Sequence, residues 1–315
     1  VDWAVTEGID IVSMSMSFFN ESFYDGTGSI ADAMDVLSAG GTLMVASAGN
    51  YARQHHRGHL TDDDRNTLHE FEDGSETLAV YLTEGTPRIS VIWDEYGACG
   101  TTDIDAYLYN QDGDLVGRST RTQRADAQGC FPAETITASV QDDGWHELTL
   151  HHVRGPRGVE FNVLTRSGHL AQPHAEGSVT DPGSHPSVFT VGAVDATGYR
   201  FNPVERFSSQ GPTPSGLTKP DIVGPDGLTT TVYGPGRFYG TSASTPSVAG
   251  AVAVLMSAQT TDLKVNEVTP ALFAKAPNAK EMAELPVEVI LADIRQVGLA
   301  PTKAKNIKRM AELLM

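Results

Sequence analysis

The run Gly240-Thr241-Ser242-Ala243-Ser244-Thr245-Pro246-Ser247-Val248-Ala249-Gly250 holds the residues best placed to do chemistry. A serine hydroxyl is a poor nucleophile until it is held still and paired with a base. Ser242 falls between a glycine-containing turn and a helix expected over Thr245 to Ser257, with Pro246 at its opening. A hydroxyl just ahead of a helix start is exposed, and the nearby N–H groups favour developing negative charge. A helix-capping serine would need only the hydroxyl; the whole string points to a nucleophile. A base is harder to find. None of the ten histidines has a partner acid implied by spacing. His55, His56 and His59 flank Arg57-Gly58 in what reads as a solvated loop, His146, His151 and His152 fall on strands, and His185 precedes a proline. Without a base Ser242 is an ordinary alcohol, so nucleophilic attack by this chain is expected to be inefficient.

The elements that must carry these residues alternate. Residues 1–8 read as the end of a helix stopping near Gly8, and Ile9 to Met16 as a short buried strand. Ser29 to Ser38 reads as a helix closed by Gly40-Gly41, followed by the apolar strand Leu43-Met44-Val45-Ala46. Strand, helix, strand with brief connections implies a βαβ unit in a parallel sheet. That second strand ends in Ser47-Ala48-Gly49-Asn50, and active groups gather at the carboxyl ends of such strands. From about residue 68 to 168 the pattern changes to alternating strands (LAVYL, RISVIW, IDAYLYN, HELTLHH) separated by DG, GD and GP turns. This is an inserted antiparallel β-sandwich or barrel. Val188 to Val194 returns to a buried-strand pattern. The expected fold class is therefore α/β with a parallel-sheet core, an inserted antiparallel β-sandwich and an all-α tail, divided at 1–67, 68–168, 169–257 and 258–315.

At 315 residues the chain is long enough for about two domains. Hydrophobic residues make up 40% and charged residues 20%, enough to bury a core. The net charge of −18 argues against electrostatic binding of nucleic acid by the body, and no apolar run approaches the ~20 residues of a membrane span. Residues 1–258 hold 14 basic against 33 acidic residues, residues 259–315 hold 8 against 7, and Gly298 alone of the 31 glycines follows residue 258. Such a break suggests two segments of different history. Val1-Asp2-Trp3-Ala4 reads as the inside of a helix, so the chain is expected to be a fragment or to have lost its start. Cys99 and Cys130 fit no CxxC signature; in an acidic, secreted-looking chain one disulfide is expected, with two buried thiols as the alternative. Asp62-Asp63-Asp64 and Asp103/Asp105 with Asp112/Asp114 are candidates for calcium, or exposed turn carboxylates.

The nucleophile string resembles the GTSxAxPxVAG motif of the subtilisin-like serine peptidases, with Ser244-Thr245 in place of the usual small pair and Ser247 where histidine is common. GIDIVSMSMS resembles the strand lining the substrate cleft, which makes Ser15, Met16 and Ser17 one wall. VASAGN resembles the opposite wall, Ala46, Ser47, Ala48 and Gly49, ending in the oxyanion-hole asparagine, Asn50. HPSVFTVGAVD and FSSQGPTPSGLTKPDIVGPDG resemble the stretch before the nucleophile. DIDAYLYNQDGDLVGRS resembles a pre-peptidase C-terminal type of sandwich. The resemblance covers residues 1 to about 257 outside the insert. It implies a secreted or extracellular serine endopeptidase acting on protein or peptide, with Asn50 and the Ser242 N–H as oxyanion donors. The family order of Asp, His, Ser places the first two upstream of Asn50, so they are expected in a missing amino-terminal half.

The tail resembles another family. LMSAQTTDLKVNEVTPALF and IRQVGLAPTKAKNIKRMAELL are similar to the amino-terminal part of endonuclease III, a base-excision DNA glycosylase and lyase. Gln259 matches the residue that fills the gap left by a flipped base, which would make DNA a partner of the tail alone. The family's catalytic Lys and Asp and its iron–sulfur cysteines are not in the tail. The two resemblances suggest a chimera joined through one helix. Helices after about residue 262, having lost their own partners, are then expected to dock poorly, leaving Leu272, Phe273, Ile290, Ile294, Ile307 and Leu313 exposed or mobile.

Overall fold

The computed structural model describes residues 1–96, 101–123, 131–257 and 262–313. Cys99, Cys130 and Gln259 lie outside the described residues. In chain order the first elements are α1 (Asp2–Thr6), β1 (Ile11–Met14), α2 (Ser29–Ala39) and β2 (Leu43–Ser47). Nine strands follow: β3 (His55–His59), β4 (Leu78–Leu82), β5 (Arg88–Trp93), β6 (Asp103–Tyr109), β7 (Leu115–Ser119), β8 (Ala133–Thr137), β9 (Gly144–Arg154), β10 (Glu160–Thr165) and β11 (His169–Leu170). The chain then forms β12 (Phe189–Asp195), β13 (Ile222–Asp226), β14 (Leu228–Thr230) and β15 (Gly234–Phe238). It ends in α3 (Thr241–Ser257), α4 (Asp262–Phe273), α5 (Ala279–Glu284), α6 (Val287–Ile294) and α7 (Ala300–Leu313). Among the described residues no helix is long and apolar enough to cross a membrane.

The chain divides into two compact units. The first comprises Val1–Phe18, Tyr24–Asn50 and Val179–Met315. Its sheet is parallel, in the order β1-β2-β12-β13, with Met14 opposite Ala46 and Val191 opposite both Ser47 and Ile222. The central strands β2 and β12 are apolar and buried along almost their whole length, as expected of a parallel sheet covered on both faces. Helix α3 lies across the sheet, burying Val248, Ala249 and Val252 against Leu43, Val45, Phe189 and Val191.

The same core continues into the tail, contrary to the expectation of poor docking. Leu272, Phe273, Ile290, Ile294 and Ile307 are buried in one cluster with the sheet residues, and of the six named positions only Leu313 is exposed. Removing each such side chain from water contributes about 1.5–3 kcal/mol, enough to hold a helix that finds any apolar surface of the right shape. The approach is close: Gly41, at φ +79°, would place a Cβ 2.8 Å from the Cα of Pro270 on α4, so only glycine fits there. The fit is incomplete as well. An apolar void of about 50 Å³ lies among Leu43, Phe189, Val252, Leu272, Ala276 and Ala311.

The second unit, Phe19–Phe23 with Tyr51–Ser178, is a β-sandwich. One sheet runs β3-β10-β5-β8 and the other β11-β4-β9-β6-β7, all neighbours antiparallel. The inward residues of both sheets form one core around Trp93, Leu108, Leu148, Phe161 and Val163. This unit reaches beyond the 68–168 expected from turn spacing. The reason is His55–His59, which is not a solvated loop: it pairs with Leu164 to Glu160 of β10, and His55 and His56 are buried. Two adjacent histidines read as polar, and the pairing partner that buries them lies a hundred residues away.

Candidate active site

Ser242 and Asn50 come together at the carboxyl end of the parallel sheet. Ser242 is not ahead of its helix, as the sequence suggested, but is the second residue of α3, which begins at Thr241. Pro246 therefore lies inside the helix, where its missing N–H cannot bond to the carbonyl of Ser242. The Ser15 hydroxyl takes the place of that donor at 3.2 Å. A residue just past the end of β1 thus fixes the main chain of the nucleophile.

The turn before Ser242 is held from two sides. Gly240, at φ +107°, donates its N–H to the Asp226 carboxylate at 2.9 Å, and its carbonyl accepts from the N–H of Ala243. An added Cβ at Gly240 would come within 3.1 Å of Asn50 Nδ2. Thr241 is buried and ties the two chain segments together. Its N–H and hydroxyl both donate to Asn50 Oδ1, at 3.0 and 3.1 Å, while its hydroxyl accepts from the N–H of Gly49 at 3.3 Å. Because a backbone N–H must meet an acceptor, these bonds settle which way the Asn50 amide points. Its Nδ2 is turned toward the nucleophile turn with no protein acceptor among the described residues. Asn50 itself is exposed, so that donor is open to a ligand.

The remaining expected site residues divide by their exposure. Ser15, Met16 and Ser17 continue past β1, with Met16 58% exposed. Ala46, Ser47, Ala48 and Gly49 are buried along and just beyond β2, and their main chain is already engaged, the Ala48 N–H with the Val191 carbonyl, the Gly49 N–H with the Thr241 hydroxyl and the Gly49 carbonyl with the Ser209 N–H. Asp226 and Thr241 were not found by sequence reasoning. Asp226 stood in the stretch FSSQGPTPSGLTKPDIVGPDG, which singled out none of its residues, and Thr241 stood as part of the motif around Ser242. Asp226 is fully buried, with Oδ1 unpartnered, and burial raises its pKa above the ordinary carboxylate value. Glu205 is shifted in the same direction by burial and then by the charges of Asp226 and Asp195.

Among the described residues the Ser242 hydroxyl has no hydrogen-bond partner. The histidines are engaged elsewhere. Nine belong to the sandwich unit. In the first unit His185 Nδ1 bonds the Ser187 hydroxyl at 2.8 Å, and its Nε2 lies 3.5 Å from Asp35. Of the acidic segments, Asp62, Asp64 and Glu70 bring one oxygen each within 4.8 Å of the others. All three carboxylates already have partners: Asp62 pairs with Arg157, Asp64 accepts from the main-chain N–H and the side-chain amide of Asn66, and Glu70 accepts from the N–H groups of Asp63 and Asp64. Asp103, Asp105, Asp112 and Asp114 form no such set among the described residues.

Comparison with known proteins gives different relatives for the two parts of the chain. Over 81% of its length the structure is similar to the Clostridium perfringens CspB protease, with a TM-score of 0.55, 18% identity and 57% of that protein covered. At that identity the likeness establishes the fold alone. Residues 252–315 match the HhH-GPD superfamily base excision DNA repair protein family. Over 64 residues the chain is 41% identical to endonuclease III of Bacillus subtilis and 47% identical to that of Treponema pallidum, which is 20% of this chain. It spans about three-tenths of the length of those relatives. The chain is thus mixed α/β with a protease-like fold, and carries an endonuclease III-like segment at its end.

Proposed function

We propose that residues 1 to about 257 are the nucleophile-bearing part of a subtilisin-like serine endopeptidase, secreted and acting on peptide bonds through an acyl-enzyme on Ser242. One observation carries the reading: the Thr241 bonds orient Asn50 so that its Nδ2 is the free donor beside the Ser242 turn. A tetrahedral oxyanion between Asn50 Nδ2 and the Ser242 N–H would be stabilised by donors fixed before the reaction. With no base beside Ser242 among the described residues, the chain would bind this geometry without turning substrate over. Titrating the ¹⁵N-labelled chain with a peptidyl boronate tests the arrangement. The Asn50 side-chain amide signals are expected to shift, and Ser242→Ala to abolish the shift. Shifts that bypass Asn50, or that persist in Ser242→Ala, would reject it.

A second reading applies to the tail. Residues 252–315 correspond to the amino-terminal part of an endonuclease III-like DNA glycosylase, and their match begins two residues after the Ser242 string ends at Gly250. Both lie on α3, which supports a join between genes of separate origin. The two cysteines of the chain fall outside this segment, so it has no thiolate ligand for an iron–sulfur cluster. Binding of the full chain to an abasic duplex, weakened by Gln259→Ala, is what the DNA reading requires. Source DNA read across codons 245–275 decides whether the join is natural.

A further inference from the structure

The outer face of the five-stranded sheet carries a row of rings that the peptidase reading does not use. Tyr81 on β4 lies opposite Trp145 on β9 and opposite His169 on β11. The three rings touch: Trp145 meets Tyr81 and His169 edge-to-face, each with centroids 5.4 Å apart, and Tyr81 and His169 stack on one another at 5.1 Å. Farther along the same face Tyr107 and His151 pack at 4.6 Å, and the Tyr107 hydroxyl donates to Asp105. Strand alternation turns Leu78, Leu148 and Leu108 into the core and leaves these rings half-exposed, with Trp145 at 37%. Thr149 sits between them, nine-tenths buried, with a hydroxyl that has no partner. At the end of the row Trp145 also lines a cavity of about 300 Å³ whose other walls include Asn110, Gln111, Gln141 and Asp142.

We propose that this face binds a chain of pyranose sugars. The central patch of a protein-binding surface is depleted in carboxylates, whereas here Asp105 and Glu147 alternate with the rings across the sheet. That alternation suits a partner whose flat C–H faces stack on aromatic rings while its rim of hydroxyls meets carboxylates and amides. The cavity beside Trp145 supplies amide and carboxylate groups where the stacked chain would run off the sheet. The acidic lining rejects anionic polymers, so the saccharide is neutral. This reading is independent of the one for Ser242.

Cellohexaose, chitohexaose and xylohexaose, each titrated into the full chain by calorimetry and tryptophan fluorescence, test the proposal. At least one is expected to bind. Trp145→Ala should weaken it by about tenfold or more, and Trp145→Phe, which keeps a stacking ring, should restore most of the affinity. Circular dichroism of both variants separates lost stacking from lost folding. Binding of none of the three sugars, or equal binding by wild type and Trp145→Ala, overturns the proposal. So does Trp145-dependent capture of gelatin without saccharide binding.

Discussion

Acid should loosen the sandwich through its buried histidines. His55 has no exposed surface; its Nδ1 meets the His174 carbonyl at 2.9 Å and its Nε2 the Asn162 amide at 2.8 Å. A neutral ring with its proton on Nδ1 needs a donor at Nε2. Asn162 can be that donor if its Nδ2, otherwise unpartnered in the core, is the atom facing the ring. His69 lies between Phe71 and Phe161, and its Nδ1 accepts from the Thr61 N–H at 3.1 Å. Burial is the first cause of a shift that takes both histidines from the ordinary 6.5 down to about 4. The unfolded chain therefore takes up these protons near pH 6.5 while the folded chain resists until about pH 4, so stability is intact above the upper value and falls as the pH drops between them. At pH 5 each histidine costs about 2 kcal/mol, against a total of about 5–15 kcal/mol for a typical domain. His56, also lowered by burial, acts in the same sense. Glu134 and Asp105, raised by burial, oppose it in part. Comparing wild type with His69→Phe, which keeps the ring packing and removes the proton, cancels the carboxylates. In urea unfolding followed by the fluorescence of Trp93, buried in the same core, wild type should lose about 2 kcal/mol more than His69→Phe between pH 7 and pH 5. Equal losses in the two proteins would refute the assignment.

The chain alone should cleave a fluorogenic peptide no faster than Ser242→Ala; turnover lost on that substitution would mean that one of its own histidines serves as base. Thr241→Val removes a buried hydroxyl bonded to Asn50 and Gly49 and should lower stability by about 1–3 kcal/mol in denaturant melts. The Asn50 amide should keep its orientation in side-chain NMR spectra, because the main-chain N–H of residue 241 still donates to Oδ1. Ile294→Ala should cost about 2–5 kcal/mol, because Ile294 is fully buried in the core shared with the sheet; a change near zero would mean that the tail is not part of that core. Ala311→Val projects into the apolar void and should raise stability by up to about 1 kcal/mol if it fills most of the space. A loss would show that the walls cannot accept two methyl groups.

The parallel β1, β2 and β12 strands were readable because each is a short apolar run with a clear turn or helix on either side, and the sandwich strands because their alternation is regular. Partnerships distant in the chain were not readable. His55–His59 looked solvated because what buries it is β10. Ser242 looked like a residue ahead of a helix because Pro246 resembles a first-turn proline; the structure starts the helix earlier and gives the orphaned carbonyl to Ser15. Thr241 contacts Asn50 across 191 positions, a separation that no local pattern encodes. The tail was misjudged for another reason. Its apolar stripe was visible, but whether a stripe finds a surface depends on shape, and shape is not periodic.

Within the second unit the two ends of the long insertion lie side by side, since the N–H of His174 donates to the carbonyl of His55 at 2.7 Å. Once that bond and the β3–β10 ladder exist, more than a hundred residues count as a short link between β2 and β12. Joining β2 to β12 across the open chain would cost roughly 1–2 kcal/mol more loop entropy than across the closed one. A ribosome emitting about 5–20 residues each second completes this module about 0.5–2 s before β12 appears. Closing the insertion therefore shortens the effective chain path between the Asn50 and Ser242 segments, so folding of the one lowers the entropic cost of bringing the other two together.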